Sequence, residues 1–273
     1  MLWAATATRR SWTDDRPQRF VLPWPSVAEW VAPMGGQHMM LLSAPGVGKT
    51  TFALNAAAYS GAATLFLSMD TDARLVTEQL AALATGEDRA TIRRRLARPL
   101  WQESYARAIR RMFPHLVLDF PTAPEVGDVA DRAEAVTEVW GTTPDLIVLD
   151  VASNLARQGD DYGSWQQLWS DIQRLSRVFG STLLVAHHVK EGPAAGGTVA
   201  PSLNDGQYKP HQFAEIVLGL HAPSPAEVTV TVLKNRGGRK DLRFGLVADL
   251  AHAQLRDPLA SLESHEDLEE ALA

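Results

Sequence analysis

The chain has 273 residues, enough for one large α/β domain or two small ones, and its hydrophobic (45%) and charged (21%) fractions exclude a disordered or fibrous protein. It contains no cysteine, which excludes disulfides, thiolate metal sites and cysteine nucleophiles and favours a cytoplasmic location. The net charge of −6 equals the six acidic residues of positions 257–273, so the rest of the chain is neutral, and bulk charge neither supports nor excludes nucleic-acid binding.

Short apolar runs alternate with helical patterns along the chain, which predicts an α/β fold with a mostly parallel central sheet flanked by helices. Parallel strands are predicted at residues 38–43, 63–68, 116–120, 146–150 and 182–187. Helices are predicted at residues 50–59, 73–84, 89–112 with a break near Pro99, 126–140 and 164–179. Further strands are predicted at 215–221, 227–234 and 242–247. The last two form a hairpin, so the carboxyl-terminal end of the sheet is expected to be antiparallel.

The pattern divides the chain into an amino-terminal arm at 1–33, a main domain at 34–257 and an acidic tail at 258–273. Residues 22–34 hold Trp24 and Trp30 among prolines, and this segment is expected to pack as an arm on the main domain or on a neighbouring subunit. Residues 191–211 exceed the roughly 12 to 15 residues of most loops, which predicts a working loop. No apolar run reaches the roughly 18 residues that a membrane helix needs, and the first 20 residues lack a signal-peptide core. We therefore expect neither export nor membrane insertion.

Residues 43–50, Ser-Ala-Pro-Gly-Val-Gly-Lys-Thr, match the phosphate-binding pattern G-x-x-x-x-G-K-[ST] except that Ser43 replaces the first glycine. An apolar strand ends at Ser43 and a helix begins at once, which is the context that this motif requires. The two glycines let backbone N–H groups turn toward phosphate oxygens, Lys49 reaches the β and γ phosphates, and the Thr50 hydroxyl binds Mg²⁺. The loop therefore predicts nucleotide binding, with a plain glycine turn before a helix as the alternative.

Two predicted strands end in carboxylates at the edge where ligands of parallel sheets gather. Asp150 closes the run Leu-Ile-Val-Leu-Asp, the form of a Walker B element that holds Mg²⁺, although such an Asp is also typical of a cap or turn. Asp70 follows strand 63–68 and can orient the attacking water as a general base. The alternative is that Asp70 or Asp72 caps the helix beginning near Ala73. Position favours the base for Asp70 and the cap for Asp72.

His187 and His188 end another strand at the same edge. Adjacent strand residues point to opposite faces, and neither cysteine nor a spaced third histidine accompanies them, so we do not expect a zinc site. One histidine is expected to contact the γ phosphate or the water, and the other to be a core histidine.

Residues 234–240, Lys-Asn-Arg-Gly-Gly-Arg-Lys, place four cations around a glycine turn at the tip of the predicted hairpin. Such a tip is compatible with a solvated turn, with a DNA contact, or with fingers inserted into the active site of a neighbouring subunit. The residues alone leave these three interpretations open.

The order of these elements resembles the RecA-like motor domain of the DnaB-type replicative helicases and of the related hexameric plasmid RepA helicases, over about residues 34–257. Residues 44–55 resemble the family's P-loop and its helix. Residues 65–70 are similar to the segment that ends in the catalytic carboxylate, usually Glu. The resemblance implies a RecA-like P-loop NTPase fold and a DNA-binding ATPase of DNA replication. Its implied cofactors are ATP and Mg²⁺, and its implied partners are single-stranded DNA and further copies of the chain in a homohexamer.

The resemblance also implies roles for individual residues. The implied catalytic residues are Lys49, Asp70, Asp150, His188, Arg236 and Lys234. The implied nucleotide-binding residues are Ala44, Pro45, Gly46, Val47, Gly48, Lys49, Thr50 and Thr51. The implied metal ligands are Thr50 and Asp150.

Three of these roles need a comment. Asp70 is one methylene shorter than the usual Glu, so the water would sit closer or turnover would be slower. His188 falls on the position of the polar sensor, which is His in the RepA branch. Lys234 and Arg236 align with the Lys-x-Arg pair that the family inserts in trans toward the γ phosphate of the next subunit.

Loops 158–165 and 192–212 occupy the positions of the family's channel loops. Tyr208 and Lys209 are the expected contacts with single-stranded DNA. Basic and aromatic residues are sparse in these loops, and we do not expect the amino-terminal scaffold domain of many DnaB-type helicases, as in the RepA branch. We therefore expect an ATP-dependent helicase motor. The alternatives are a RecA-like recombinase or annealing ATPase that uses ATP as a DNA-binding switch without unwinding, and a regulatory ATPase that acts on no nucleic acid.

Overall fold

A computed structural model describes residues 20–157 and 159–258 of the chain. Its α-helices are α1 (Pro25–Ala28), α2 (Lys49–Tyr59), α3 (Ala73–Thr85), α4 (Arg89–Arg95), α5 (Pro99–Met112), α6 (Val126–Trp140) and α7 (Tyr162–Phe179). Its strands are β1 (His38–Ser43), β2 (Thr64–Ser68), β3 (Leu116–Asp119), β4 (Leu146–Asp150), β5 (Thr182–His188), β6 (Ile216–Ser224), β7 (Glu227–Asn235), β8 (Arg243–Asp249) and β9 (Gln254–Arg256). Short 3₁₀ turns lie at Ala152–Asn154, Pro193–Gly196, Leu203–Asp205 and Pro210–Gln212.

The nine strands of the described residues form one sheet in the order β3-β2-β4-β5-β1-β6-β7-β8-β9. The pairs from β3 through to β6 are parallel, and the pairs from β6 to β9 are antiparallel. The predicted fold class, a mostly parallel sheet with an antiparallel carboxyl-terminal hairpin, is confirmed. Because β1, β2, β4 and β5 run in the same direction, the segments that follow them meet at one edge of the sheet.

Most predicted element bounds agree with the structure to within one or two residues. Strand β6 is longer than predicted and ends at Ser224. The predicted break near Pro99 divides residues 89–112 into two helices, because Pro99 starts α5 at the first helical position, where its missing N–H costs nothing. The four residues of α1 and the three of β9 were not predicted, since elements so short carry too little periodicity.

The central strands are buried along their whole length. Every residue of β1, β2 and β4 is buried, and α2 and α7 both pack against β1. Strands buried on both faces read as continuous apolar runs instead of alternating ones, which is why Leu146–Asp150 begins with four aliphatic residues. This core fixes the positions at which the polar strand ends emerge.

The segment before β1 belongs to the same core. Phe20, Leu22 and Trp24 are at most 2% exposed. The Trp24 ring lies 4.4 Å from the ring of Phe52 on α2, and its indole N–H donates to the Leu255 carbonyl at 2.8 Å. From residue 20 onward, the arm therefore packs on its own domain and ties β9 to the P-loop helix.

Some predictions fall outside the described residues: the first 19 residues of the arm, Gln158 of loop 158–165, and the acidic tail after Pro258. Within residues 20–157 and 159–258, no helix combines the length and the apolar character that crossing a membrane requires.

Candidate nucleotide-binding site

Residues 44–48 form the loop between β1 and α2. Gly46 and Gly48 adopt φ angles of +78° and +108°, which L side chains rarely adopt. A Cβ built on Gly46 would meet no other atom within 4 Å, so this part of the loop faces open space. Gly48 is the N-cap of α2, so the positive end of the helix dipole points into that space. The loop has the shape and the polarity of a phosphate cradle.

Lys49 is held at the centre of this cradle although it is only 6% exposed. Its ammonium donates to the carbonyl oxygens of Ser43 at 3.3 Å and Ala44 at 3.1 Å, and to the Ser43 hydroxyl at 3.2 Å. Burial lowers the pKa of Lys49 to about 8, while the carboxylates of Asp150 and Asp70 oppose that shift. The serine in place of the first glycine thus adds a contact to the lysine, a role that the motif does not predict.

Thr50 and Asp150 form the second half of the site. The Thr50 hydroxyl donates to Oδ2 of Asp150 at 2.6 Å. Asp150 is fully buried, and its Oδ1 has no hydrogen-bond partner among the described residues. Burial raises its pKa to about 6, against the lowering effects of the Thr50 hydrogen bond and the Lys49 charge. An orphaned carboxylate oxygen beside a threonine hydroxyl fits Mg²⁺, which prefers oxygen ligands and takes one or two carboxylates together with phosphates.

Asp70 emerges from β2 next to Asp150. The Asp70 N–H donates to the Asp150 carbonyl at 3.3 Å, and the Asp70 side chain is exposed to solvent at the phosphate edge. Asp72 caps α3, because its carboxylate accepts from the N–H groups of Arg74 at 2.7 Å and Leu75 at 3.1 Å. The capping role therefore goes to Asp72, as position favoured, and Asp70 is left facing the site. The next residue, Thr71, also reaches the site, with its hydroxyl 3.4 Å from that of Thr50, and no sequence motif indicated it.

The two histidines at the end of β5 have different surroundings. His188 Nδ1 lies 3.1 Å from the Lys49 ammonium. Burial and the Lys49 charge lower the pKa of His188, and Nδ1 accepts from the ammonium, which can only donate. His187 is fully buried and lies edge-on to the rings of Trp165 and Trp169, at 5.8 and 5.0 Å. The structure thus places the predicted sensor in the site and its neighbour in the core.

The cationic hairpin tip lies near the amino-terminal ends of the parallel strands, whereas the P-loop follows their carboxyl-terminal ends. Asn235 pairs with Ile216, and Ile216 pairs with Met39 near the start of β1. Met39 and Ser43 are four residues apart on β1, which separates the two edges by about 13 Å along the strand at ~3.3 Å per residue. Arg236 is exposed just beyond this edge. It cannot reach the P-loop of its own chain.

Lys234 is bound within its own chain. Its ammonium donates to the carbonyl oxygens of His211 at 2.7 Å and Ala214 at 2.6 Å. Burial and the charge of Arg236 lower the pKa of Lys234. The role of Lys234 in trans stays a prediction, and it requires both hydrogen bonds to open.

Comparison with known proteins identifies the chain. The AAA_25 family, described as an AAA domain, matches residues 9–194, which is well over half of the sequence. The chain belongs to this family. The family match supports an ATP-hydrolysing P-loop enzyme, and the predicted ATPase activity is confirmed.

Individual relatives support the same assignment. The Gene 65 protein of Mycobacterium phage D29 is 26% identical over 211 residues, which cover 74% of this chain and 90% of that protein. A solved ATPase domain has a TM-score of 0.74 at 15% identity and covers 93% of this chain and 96% of its own. A DnaB-like replicative helicase solved in a study of its interactions with primase has a TM-score of 0.73 at 15% identity, covering 93% of this chain and 65% of its own. The predicted RecA-like fold, with its likeness to DnaB-type ATPase domains, is confirmed.

The start of α7, which includes the end of the predicted loop 158–165, meets loop 192–212 in this ATPase. The rings of Trp165 and Tyr208 stack with centroids 4.5 Å apart and an interplanar angle of 11°. The Gln166 side chain donates to the Tyr208 carbonyl at 3.1 Å, and the guanidinium of Arg157 lies 4.0 Å from the centre of the Trp165 ring. Sequence reasoning did not single out Trp165, the last residue of the predicted loop 158–165, and it missed Arg157. Trp165 looks like an ordinary core residue of an amphipathic helix, and no local signal pairs it with a residue 43 positions away.

Proposed function

We propose that this ATPase is the motor of a DnaB/RepA-like DNA helicase. In this proposal it forms a homohexamer, hydrolyses Mg-ATP between adjacent subunits and uses the energy to move along single-stranded DNA. One observation carries the proposal: Arg236 lies at the opposite edge of the sheet from its own P-loop, on an exposed hairpin. An arginine finger in that position can act only on the site of another copy.

Each residue of the P-loop edge has a distinct task in the proposed reaction. Lys49 binds the β and γ phosphates, and the cradle of residues 44–51 aligns the phosphate chain with its backbone N–H groups. Thr50 and Asp150 hold the metal, which when bound neutralises charge on the phosphate oxygens. Asp70 orients the attacking water and takes its proton.

His188 and Arg236 complete the proposed site from two different subunits. The contact of His188 with Lys49, at 3.1 Å, supports a role for its imidazole as the sensor of the γ phosphate. Arg236 of the adjacent copy stabilises the charge that develops on the transferred group, a contribution worth roughly 10³ to 10⁵ in kcat for arginine fingers. In this proposal nucleotide binding belongs to one chain, whereas hydrolysis needs two.

Tyr208 and Lys209 are the proposed DNA contacts. They lie on the segment after β5, the strand that ends at His188, so a change at the γ phosphate can be transmitted to the loop that follows. Movement on DNA during replication is the function that this arrangement supports best.

The test is the steady-state ATPase rate with and without single-stranded DNA, with Lys49→Ala as the blank. We expect DNA to stimulate hydrolysis and the stimulation to disappear in the variant. A strand-displacement assay and measurement of the assembly mass follow, for which the proposal predicts unwinding by a closed ring of six copies. An ATPase rate indifferent to DNA would contradict the proposal. Stimulation accompanied by open filaments and annealing without displacement would instead assign the protein to the recombinase or switch class.

A further inference from the structure

Tyr208 is held in place by its neighbours. One face of its ring stacks on Trp165, which is 2% exposed, and its carbonyl accepts the hydrogen bond from Gln166. Arg157 lies against the Trp165 ring and donates to the Ser153 carbonyl at 3.2 Å. Because each partner is itself fixed, the orientation of the tyrosine ring is set before any ligand arrives.

The backbone at this point is unusual. Tyr208 and Lys209 have φ angles of +57° and +52°, so two consecutive residues other than glycine occupy the left-handed region. Side chains rarely adopt this conformation unless the surrounding contacts impose it, and it concentrates at functional positions. In this conformation Tyr208 is 36% exposed although its ring lies against a buried tryptophan, and the exposed Lys209 lies beside Tyr208.

An aromatic ring that is backed on one side, open to solvent and followed by a cation has the chemistry that binds an unstacked nucleobase and its phosphate. We propose that Tyr208, backed by Trp165, is a stacking platform for one base of single-stranded DNA, with Lys209 contacting the adjacent phosphate. This inference rests on the proposed function, since it names the mode in which the same protein holds its DNA. A purely structural role, in which Tyr208 only covers Trp165, is the competing explanation.

The stacking platform is joined to the ATP site by packed side chains. Trp165 also lies against His187, and His187 precedes the His188 that contacts Lys49. A base stacked on Tyr208 is therefore connected through Trp165 and His187 to His188, the residue that meets the γ phosphate in the proposed reaction.

The first experiment measures binding of fluorescent oligo-dT by anisotropy, with the full-length protein and a non-hydrolysable ATP analogue. Tyr208→Leu keeps an apolar cover on Trp165 but removes the π face, and we expect affinity to fall by about tenfold. Tyr208→Trp and Tyr208→Phe should bind like the wild type. The matched control is Tyr59→Leu, because Tyr59 is 42% exposed at the end of α2 and packs edge-on against Phe113, away from both loops. It should bind DNA normally.

The second experiment separates stacking from a structural role. An abasic strand of the same length lacks the base but keeps the phosphates, so it should bind the wild type more weakly than oligo-dT. In Tyr208→Leu the two strands should bind nearly alike, since the ring that senses the base is gone. Lys209→Ala should instead lower the salt dependence of binding by about one phosphate contact and leave the preference for bases intact.

The outcomes distinguish the inference from the proposed function. If the wild type binds oligo-dT and Tyr208→Leu binds it equally well, or keeps the full preference over the abasic strand, the stacking inference fails while the helicase proposal stands. If the wild type binds no oligonucleotide, both fail. Thermal melting of each variant checks that the fold is intact. If Tyr208→Leu unfolds, the wild type alone tests the inference, because stacking predicts weaker binding of the abasic strand than of oligo-dT and equal binding of the two strands would contradict it.

Discussion

The two edges of the central sheet differ in how complete they are. At the P-loop edge, the functional side chains already touch within one chain: Thr50 lies 2.6 Å from Asp150, and Lys49 lies 3.1 Å from His188. At the other edge, Arg236 is exposed, and this edge is about 13 Å from the P-loop edge along β1. In our proposal, nucleotide binding is a property of the single chain and hydrolysis depends on a neighbour. Four changes test this division, beginning with the largest expected effect.

Removing the arginine of the incomplete edge should have the largest effect. We expect Arg236→Ala to lower kcat by roughly 10³ to 10⁵, because the finger acts on charge that develops in the transition state. ATP affinity, measured by calorimetry, should stay close to the wild-type value. Arg239→Ala is the matched control, since Arg239 lies on the same hairpin with its guanidinium 5.3 Å from the Trp30 ring, and it should keep its activity. Loss of ATP binding in Arg236→Ala would contradict the division.

Removing the carboxylate of the complete edge should have the next largest effect. Asp70→Asn should lower kcat by about 10² to 10⁴ and leave ATP binding intact, because a general base acts on the water and not on the nucleotide. Asp70→Glu restores the length that is usual in the family and should keep turnover. Asp72→Asn serves as the control, since Asn also caps helices well. A normal kcat in Asp70→Asn would show that another group positions the water.

A smaller effect is expected from pH. The carboxyl group of Asp150 has a pKa raised to about 6 by burial, so it becomes neutral as the pH falls through that value. A protonated carboxyl cannot bind Mg²⁺, and one proton competes with one metal ion. Mg²⁺-dependent ATP affinity should therefore fall by about tenfold for each pH unit below 6. The part of this pH dependence that comes from Asp150 should be absent in Asp150→Asn. A wild-type ATP affinity that stays constant well below pH 6 would contradict the assignment of Asp150 as a Mg²⁺ ligand.

The smallest effect on catalysis is expected from a change at Asn55, a buried residue of the P-loop helix α2. Asn55 is fully buried, donates to the carbonyls of Thr51 and Ala253, and accepts from the Leu255 N–H. Asn55→Ala leaves the Ala253 and Leu255 groups without their partner, which should lower the free energy of unfolding by about 2 to 4 kcal/mol in urea titrations. The kcat of the folded protein should not change. Gln102→Ala, which removes one exposed hydrogen bond, is the control. An equal change in the free energy of unfolding in both variants would mean that the hydrogen bonds between Asn55 and residues 253 and 255 contribute little.

The P-loop edge could be predicted from the sequence because its signals are local. The glycine spacing, the apolar run before it and the helix after it occupy one short segment, and the structure places β1, the loop and α2 within one residue of the predicted bounds. The strand-ending carboxylates follow from the same logic, since the ends of parallel strands must meet. The helix cap at Asp72 also followed from its position directly before the helix.

The other regions depend on contacts between distant residues, which no local pattern reveals. Lys234 looks like a member of the exposed hairpin tip, yet β7 continues to Asn235 and the lysine binds carbonyls 20 and 23 residues earlier in the chain. The Trp165–Tyr208 stack is equally non-local. The short β9 strand was missed because three residues show no periodicity and because the strand is held by the distant residues Asn55 and Trp24.

The most direct test of the central claim mixes two inactive variants. Lys49→Ala lacks a working P-loop but carries an intact Arg236, whereas Arg236→Ala carries an intact P-loop and lacks the finger. If the finger acts between chains, mixed assemblies contain sites with both parts, and the mixture should regain a substantial fraction of the wild-type ATPase rate although each variant alone is inactive. A mixture that remains as inactive as its components, with mixed assemblies verified by mass, would contradict the account.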